Sequence, residues 1–86
     1  MSLLPTRGGG ALTLHAVNAG VVGVHLASGV QVGNLKRVGA VWKFKAIGCD
    51  AAGAVEPGGG PLTGLHNTTF DAPDAAQVNA VLAPHL

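Results

Sequence analysis

The sequence predicts an α+β domain of the ββββα kind, a four-stranded antiparallel meander with one C-terminal helix packed on one face. Three observations carry that prediction. Residues 38–50, VGAVWKFKAIGCD, alternate with a period of two and hold the only Trp of the chain. The stretches before them alternate in the same way between turn residues, and residues 70–84 change to helical spacing. Period two places successive side chains on opposite faces of a sheet, and period 3.6 places them on one stripe of a helix.

Residues 1–10, MSLLPTRGGG, read as a flexible arm, because Pro5 interrupts them and three consecutive glycines have no side chain to pack. Residues 11–86 read as one small domain. Its first strand is ALTLHAV, residues 11–17, with Leu12, Leu14 and Ala16 inward and Thr13, His15 and Val17 outward. Asn18-Ala19-Gly20 is expected as a three-residue hairpin loop with Gly20 in the left-handed conformation. The second strand, residues 21–27, then sets Ala16 against Val22, Leu14 against Val24 and Leu12 against Leu26. A slip of one residue exposes all three pairs, so the register is strongly specified.

Ser28-Gly29 is expected as a type I′ turn into a third strand, residues 30–37, with Val24 opposite Gly33 and Val22 opposite Leu35. Gly39-Ala40 is expected as a type II′ turn, with glycine supplying the positive φ of its first central position. That turn sets Val38 against Val41, Arg37 against Trp42, Lys36 against Lys43, Leu35 against Phe44, and Asn34 against Lys45. The core face is then Leu12, Leu14, Ala16, Val22, Val24, Leu26, Leu35, Trp42, Phe44 and Ala46. Arg37 falls beside Trp42 at the rim, a position for a stacked guanidinium.

Beyond Asp50 the composition turns to Ala, Gly and Pro. Residues 50–53 read as a turn, residues 54–56 as a short extension of the sheet, and PGGGP, residues 57–61, as a break. The helix is expected to start with Asp71 or Ala72 at the N-cap and Pro73 in its first turn, and to end at Pro84. Ala75, Val78, Val81 and Leu82 form its apolar stripe, with Gln77 and Asn79 outside it. Phe70 is positioned to staple back onto Ala75. The core face needs a cover, and no other segment is long and amphipathic enough to provide one.

Composition narrows the function classes. Charged residues are 10% of the chain against 48% apolar, and the aromatics are Trp42, Phe44 and Phe70, so the core must be built from aliphatic side chains. A chain of 86 residues buries only about three-fifths of its unfolded surface, and self-association is a common way to gain more. The net charge of +1 argues against a strongly basic nucleic-acid binder. Its distribution says more: Arg7, Lys36, Arg37, Lys43 and Lys45 precede Cys49, and Asp50, Glu56, Asp71 and Asp74 follow it. The single Cys excludes an intrachain disulfide and any CxxC pattern, so a cytoplasmic location is expected. The first residues lack the basic, apolar and small-residue succession of a secretory signal. Residues 11–30 carry no formal charge and are long enough to cross a bilayer, but His15, Asn18, His25 and the glycines fit a hairpin better, and no membrane association is expected.

Two places are candidates for chemistry. The first is the sheet face left open once the helix covers the other. Its rows are His15, Gly23, Asn34 and Lys45; Val17, Val21, Lys36 and Lys43; and Thr13, His25, Val32 and Ile47. His15, His25, Asn34, Lys36, Lys43 and Lys45 make this a neutral-to-basic surface for an acidic partner or nucleic acid. Sheet-type RNA readers stack bases on exposed aromatics, and this face offers only its histidines for that role. Val17, Val21, Val32 and Ile47 on the same face suit a homodimer contact. The second candidate is the 57–69 loop, where Thr63, His66 and Asn67 gather polar groups on irregular chain. His66 is a possible general base there, with Cys49 as a nucleophile if the two meet. A loop histidine bonded to backbone is the plainer account. Asn67-Thr68-Thr69 also matches a glycosylation acceptor, without the secretory context it requires.

The four histidines show no metal-ligand spacing, and the triple glycine of the arm lacks the Lys-Ser/Thr of a phosphate loop, so neither metal nor cofactor is expected. The expectation is a non-enzymatic, self-associating binding module, a homodimer first. Its alternatives are a nucleic-acid binder using the basic face, and an enzyme or small-ligand site in the 57–69 loop.

Overall fold

The computed structural model describes residues 12–86, so the proposed arm, residues 1–10, lies outside the described residues. Four strands form the meander: β1 (Leu12–Asn18), β2 (Val21–Leu26), β3 (Gln31–Val38) and β4 (Val41–Cys49). Two shorter strands follow, β5 (Val55–Pro57) and β6 (Thr69–Phe70), and then the helix α1 (Ala75–Leu82). The class is α+β with one C-terminal helix, and among the described residues the sheet has six strands where four were expected. The order is β1-β2-β3-β4-β5, all neighbours antiparallel, with β6 also paired to β4.

The β3–β4 hairpin has the expected register throughout, from Val38↔Val41 to Asn34↔Lys45. Gly39 has φ +62 while Ala40 stays at negative φ, which is the signature of a type II′ turn. The Arg37 Nε donates to the Gly39 carbonyl at 3.4 Å, which ties this side chain to the turn.

The other two hairpins reach their expected inward pairs by a different route. In β1–β2 the pairs Leu12↔Leu26, Leu14↔Val24 and Ala16↔Val22 hold, but Asn18 pairs with Val21 and the register shifts between Ala16 and Asn18. The loop is therefore two residues long with Val17 as a bulge, and Gly20 is not left-handed. The Asn18 side chain closes this turn by accepting from the Gly20 N–H at 2.8 Å. Between β2 and β3 the loop is longer than expected: the Gly29 N–H donates to the Leu26 carbonyl, the Leu26 N–H donates to that of Val30, and Gly29 sits at φ +97. That extra residue moves His25 onto Gln31, and a bulge at Val32 restores Val24↔Gly33 and Val22↔Leu35. The bulge turns Val32 inward, so it is 1% exposed and belongs to the core, not to the open face.

The core is Leu12, Val22, Val24, Val32, Leu35, Phe44, Ala46, Leu62, Phe70, Val78 and Leu82. Ala16, expected inside, is exposed at the sheet rim. The cover has two parts. The helix lies against β1, burying Val78 and Leu82, while Val81 remains 40% exposed and Ala75 also faces water. Its N-cap is Asp74, not Asp71 or Ala72, and the carboxylate accepts from the Gln77 N–H at 3.4 Å. Pro73 thus precedes the cap, and Pro84 falls in a final 3-10 turn, Ala83–His85.

The loop after β5 covers the β4 side of the core. It passes so close to the strand that a Cβ on Gly48 would lie 2.5 Å from the Gly60 nitrogen, and it delivers Leu62, 1% exposed, into the core. Gly33 serves the same packing from within the sheet, since the Phe44 ring occupies the space where its Cβ would stand. No helix of the described residues is long and apolar enough to cross a membrane, and the uncharged stretch within residues 12–30 is a β-hairpin.

Candidate functional site

Strand registers bring all six candidate residues of the open face together. His15, Gly23, Asn34 and Lys45 stand in one row, and Val21, Lys36 and Lys43 in the next. The third row contains Thr13, His25 and Gln31, because the bulge puts Gln31 where Val32 was expected. The face is therefore more polar than expected, and the apolar patch proposed for a homodimer loses one of its four members.

Lys36 and Lys43 are directly paired across β3 and β4, and Lys45 follows two residues on, on the same face. Like charges opposed on one face of a sheet destabilise it slightly, an arrangement that costs least when water or an anion reaches it. Lys36 is exposed and Lys43 and Lys45 are half-buried. The acidic residues lie elsewhere: Glu56 pairs with Gly48 on the core-side parity of β4, Asp50 folds onto its own turn, and Asp71 and Asp74 precede the helix. No carboxylate stands in the three rows.

The remaining polar groups of the face are ordered by one another. Gln31 Nε2 donates to the Gly33 carbonyl at 3.1 Å and to Asn34 Oδ1 at 2.8 Å. His25 lies edge-on to His15, ring centroids 4.6 Å apart. The Gly29 carbonyl, 3.1 Å from His25 Nδ1, can only accept, so Nδ1 donates to it and Nε2 stands over Gly23. Thr13 Oγ1 lies 3.2 Å from His15 Nε2. Among the described residues no group of three or more His, Cys, Asp or Glu is gathered as a metal would require.

The loop candidates are drawn into building the sheet edge. β6 covers β4 at Trp42 and Lys43, and β5 covers it from Ile47 to Cys49. Between them the Phe44 N–H donates to Thr68, the Phe44 carbonyl accepts from Asn67, and the Ala46 carbonyl accepts from the Gly58 N–H. One donor is left, the Ala46 N–H, and it is taken by His66 Nδ1 at 3.0 Å. An imidazole accepting at Nδ1 carries its proton on Nε2, so the ring has no second lone pair with which to act as a base. Thr63 donates its hydroxyl to the Gly58 carbonyl at 2.5 Å and holds the loop closed.

Asn67 is the loop residue that joins the open face. It has φ +76, a left-handed conformation that Asn tolerates better than most residues, and its Oδ1 accepts from Lys45 Nζ at 2.6 Å. That contact extends the lysine row beyond β4. In the sequence Asn67 is a loop residue only; its link to Lys45 depends on how residues 58–68 fold back along β4, which no local pattern displays. Gln31 was missed for a similar reason, since its place on the face follows from the Val32 bulge. Cys49 is exposed at the end of β4.

Compared with models of known protein families, with curated proteins and with solved structures, the chain shows no match to any of them.

Proposed function

We propose that the protein is a non-enzymatic binding module whose open sheet face receives an acidic partner, in keeping with the cytoplasmic setting that a single cysteine suggests. The observation that carries this reading is the Lys36–Lys43 pair, extended by Lys45 and Asn67, on a face without a carboxylate. Three ammonium groups within two adjacent strands form a compact positive field, and a flat antiparallel face presents them to an extended chain. Gln31 and Asn34, bonded to each other, and His25, held by the Gly29 carbonyl, supply donors and acceptors beside it.

An acidic polypeptide is favoured over nucleic acid because the open face has no Trp, Phe or Tyr on which bases stack. Trp42, Phe44 and Phe70 all belong to or pack against the core. The loop reading, with His66 as base, is disfavoured by the use of its Nδ1 lone pair for the Ala46 N–H.

The test is binding of fluorescent poly-glutamate, followed by anisotropy at low salt, in the native protein and in the Lys36→Ala, Lys43→Ala double variant. The reading expects binding that weakens steeply with salt and falls at least about tenfold in the double variant. Unchanged binding in that variant sinks it. An equally lysine-dependent but much tighter complex with a single-stranded oligonucleotide moves the assignment to nucleic acid.

A further inference from the structure

The two outer edges of the sheet are treated in opposite ways. Along β4 every outward group from Phe44 to Ala46 has a partner, even at the cost of recruiting a histidine ring. At the other end of the sheet is β1, which pairs with β2 on one side and with no described strand on the other. The Leu12 N–H donates to Asn79 Oδ1 at 2.9 Å, and the Leu12 carbonyl accepts from Asn79 Nδ2 at 3.0 Å, so the backbone groups of Leu12 point away from β2. Antiparallel strands alternate, and the groups of Leu14 and Ala16 therefore point the same way. Asn79 closes this edge at Leu12, and among the described residues nothing closes it at Leu14 and Ala16.

Natural edges are usually guarded by a charge, a proline or a covering element. β1, LTLHAVN, has no charged residue and no proline. Its rim is apolar as well: Ala16 and Val17 are exposed, Val17 at 64%. A strand without charge is self-complementary, since a second copy laid against it meets no like-charge penalty.

We propose that two copies of this chain pair antiparallel through β1, about a two-fold axis at His15, to form one continuous sheet. The blocked position at Leu12 selects this register. Centring on Leu14 would direct Ala16 at the Leu12 groups already bonded to Asn79. Centring on His15 sets Leu14 against Ala16 of the second copy and Ala16 against its Leu14, and all four outward positions are used. Leu14 and Ala16 shield one another at the core rim, and the two His15 side chains meet on the open face, each with His25 beside it. The pairing also sets two lysine clusters on one continuous face. It stands on the β1 edge alone and does not depend on what that face binds.

The register makes a sharp test possible. Directly opposed residues in a non-hydrogen-bonded antiparallel pair have Cα atoms about 4.5 Å apart, within the reach of a disulfide. In a Cys49→Ser background, His15→Cys should give a covalent dimer with oxidised glutathione, while Thr13→Cys, which this register sets opposite Val17, should remain largely monomeric on a non-reducing gel. In the otherwise native chain, Ala16→Pro removes one outward N–H that has no partner among the described residues and should weaken dimerisation roughly tenfold or more in sedimentation. His15→Lys, on an exposed position, should do the same by like-charge contact. A native chain that sediments as a monomer at hundreds of micromolar, or His15→Cys linking no faster than Thr13→Cys, overturns the proposal.

Discussion

The His66 ring accepts the Ala46 N–H at 3.0 Å and so fills a rung of the sheet that no backbone group fills. β5 and β6 approach β4 from either end of its outer edge, and the ring seals the gap between them. A half-buried N–H without a partner costs about 1–3 kcal/mol. His66→Ala is therefore expected to lower unfolding stability by roughly that amount, seen as a shift of the urea midpoint of Trp42 fluorescence with an unchanged slope. An unmoved midpoint removes the structural role assigned to the ring.

Asn79 makes the corresponding contact at the opposite edge. At 4% exposure it spans the Leu12 N–H and carbonyl and also donates to the Ala75 carbonyl at 2.9 Å, so one side chain ties α1 to β1. Asn79→Ala is expected to cost roughly 2–3 kcal/mol, since it strips partners from buried backbone groups. Val81→Ala, two residues further along the helix on an exposed position, is expected to stay within about 0.5 kcal/mol. Equal effects of the two would show that the helix is held by its aliphatic residues alone.

Gly33 and Gly64 form a matched pair for packing. The Phe44 ring fills the place of a Cβ at Gly33, whereas nothing lies within 4 Å of a Cβ at Gly64. Gly33→Ala should destabilise by roughly 1–3 kcal/mol through displacement of the ring. Gly64→Ala should be near neutral. Thermal unfolding of the two variants, side by side, distinguishes a rigid Phe44 from one that can move aside.

Much of this sheet was legible because its turns have little slack. Gly39-Ala40 allows one hairpin geometry, and every pair from Val38↔Val41 to Asn34↔Lys45 follows from it. The β2–β3 connection shows how a correct inward pairing can hide a wrong path. Its loop is one residue longer than expected and the Val32 bulge absorbs the difference, so Val22↔Leu35 survives while Val32 and Gln31 exchange environments. Bulges leave the apolar alternation nearly intact and are invisible to it.

Asn79 escaped for another reason. Its helical position reads as polar surface, and its partner is the backbone of a residue 67 positions earlier, which has no side-chain signature. The cover supplied by residues 58–70 was equally hidden. β6 is two residues long, too short to show a period, and Leu62 stands in a stretch of Gly, Pro and Thr with no apolar alternation. On the open face the lysine row was readable from hairpin register alone, and only its extension to Asn67 required the folded loop.

Charge relief on the open face gives a further expectation. Lys36→Glu sets a carboxylate opposite Lys43 and should stabilise the fold by about 0.2–1 kcal/mol, because a repulsive cross-strand pair becomes an attractive one. The same change should abolish poly-glutamate binding. A variant that gains stability and keeps its binding would separate the lysine pair from the interface.

The most direct measurement of the open-face assignment is an amide chemical-shift titration of the uniformly labelled protein with poly-glutamate at low ionic strength. Perturbations are expected at Lys36, Lys43, Lys45, Asn34 and Asn67, and should disappear at about 1 M salt, where the screening length falls to roughly 3 Å. Perturbations confined to α1 or to residues 58–65, or none at low salt, would contradict it.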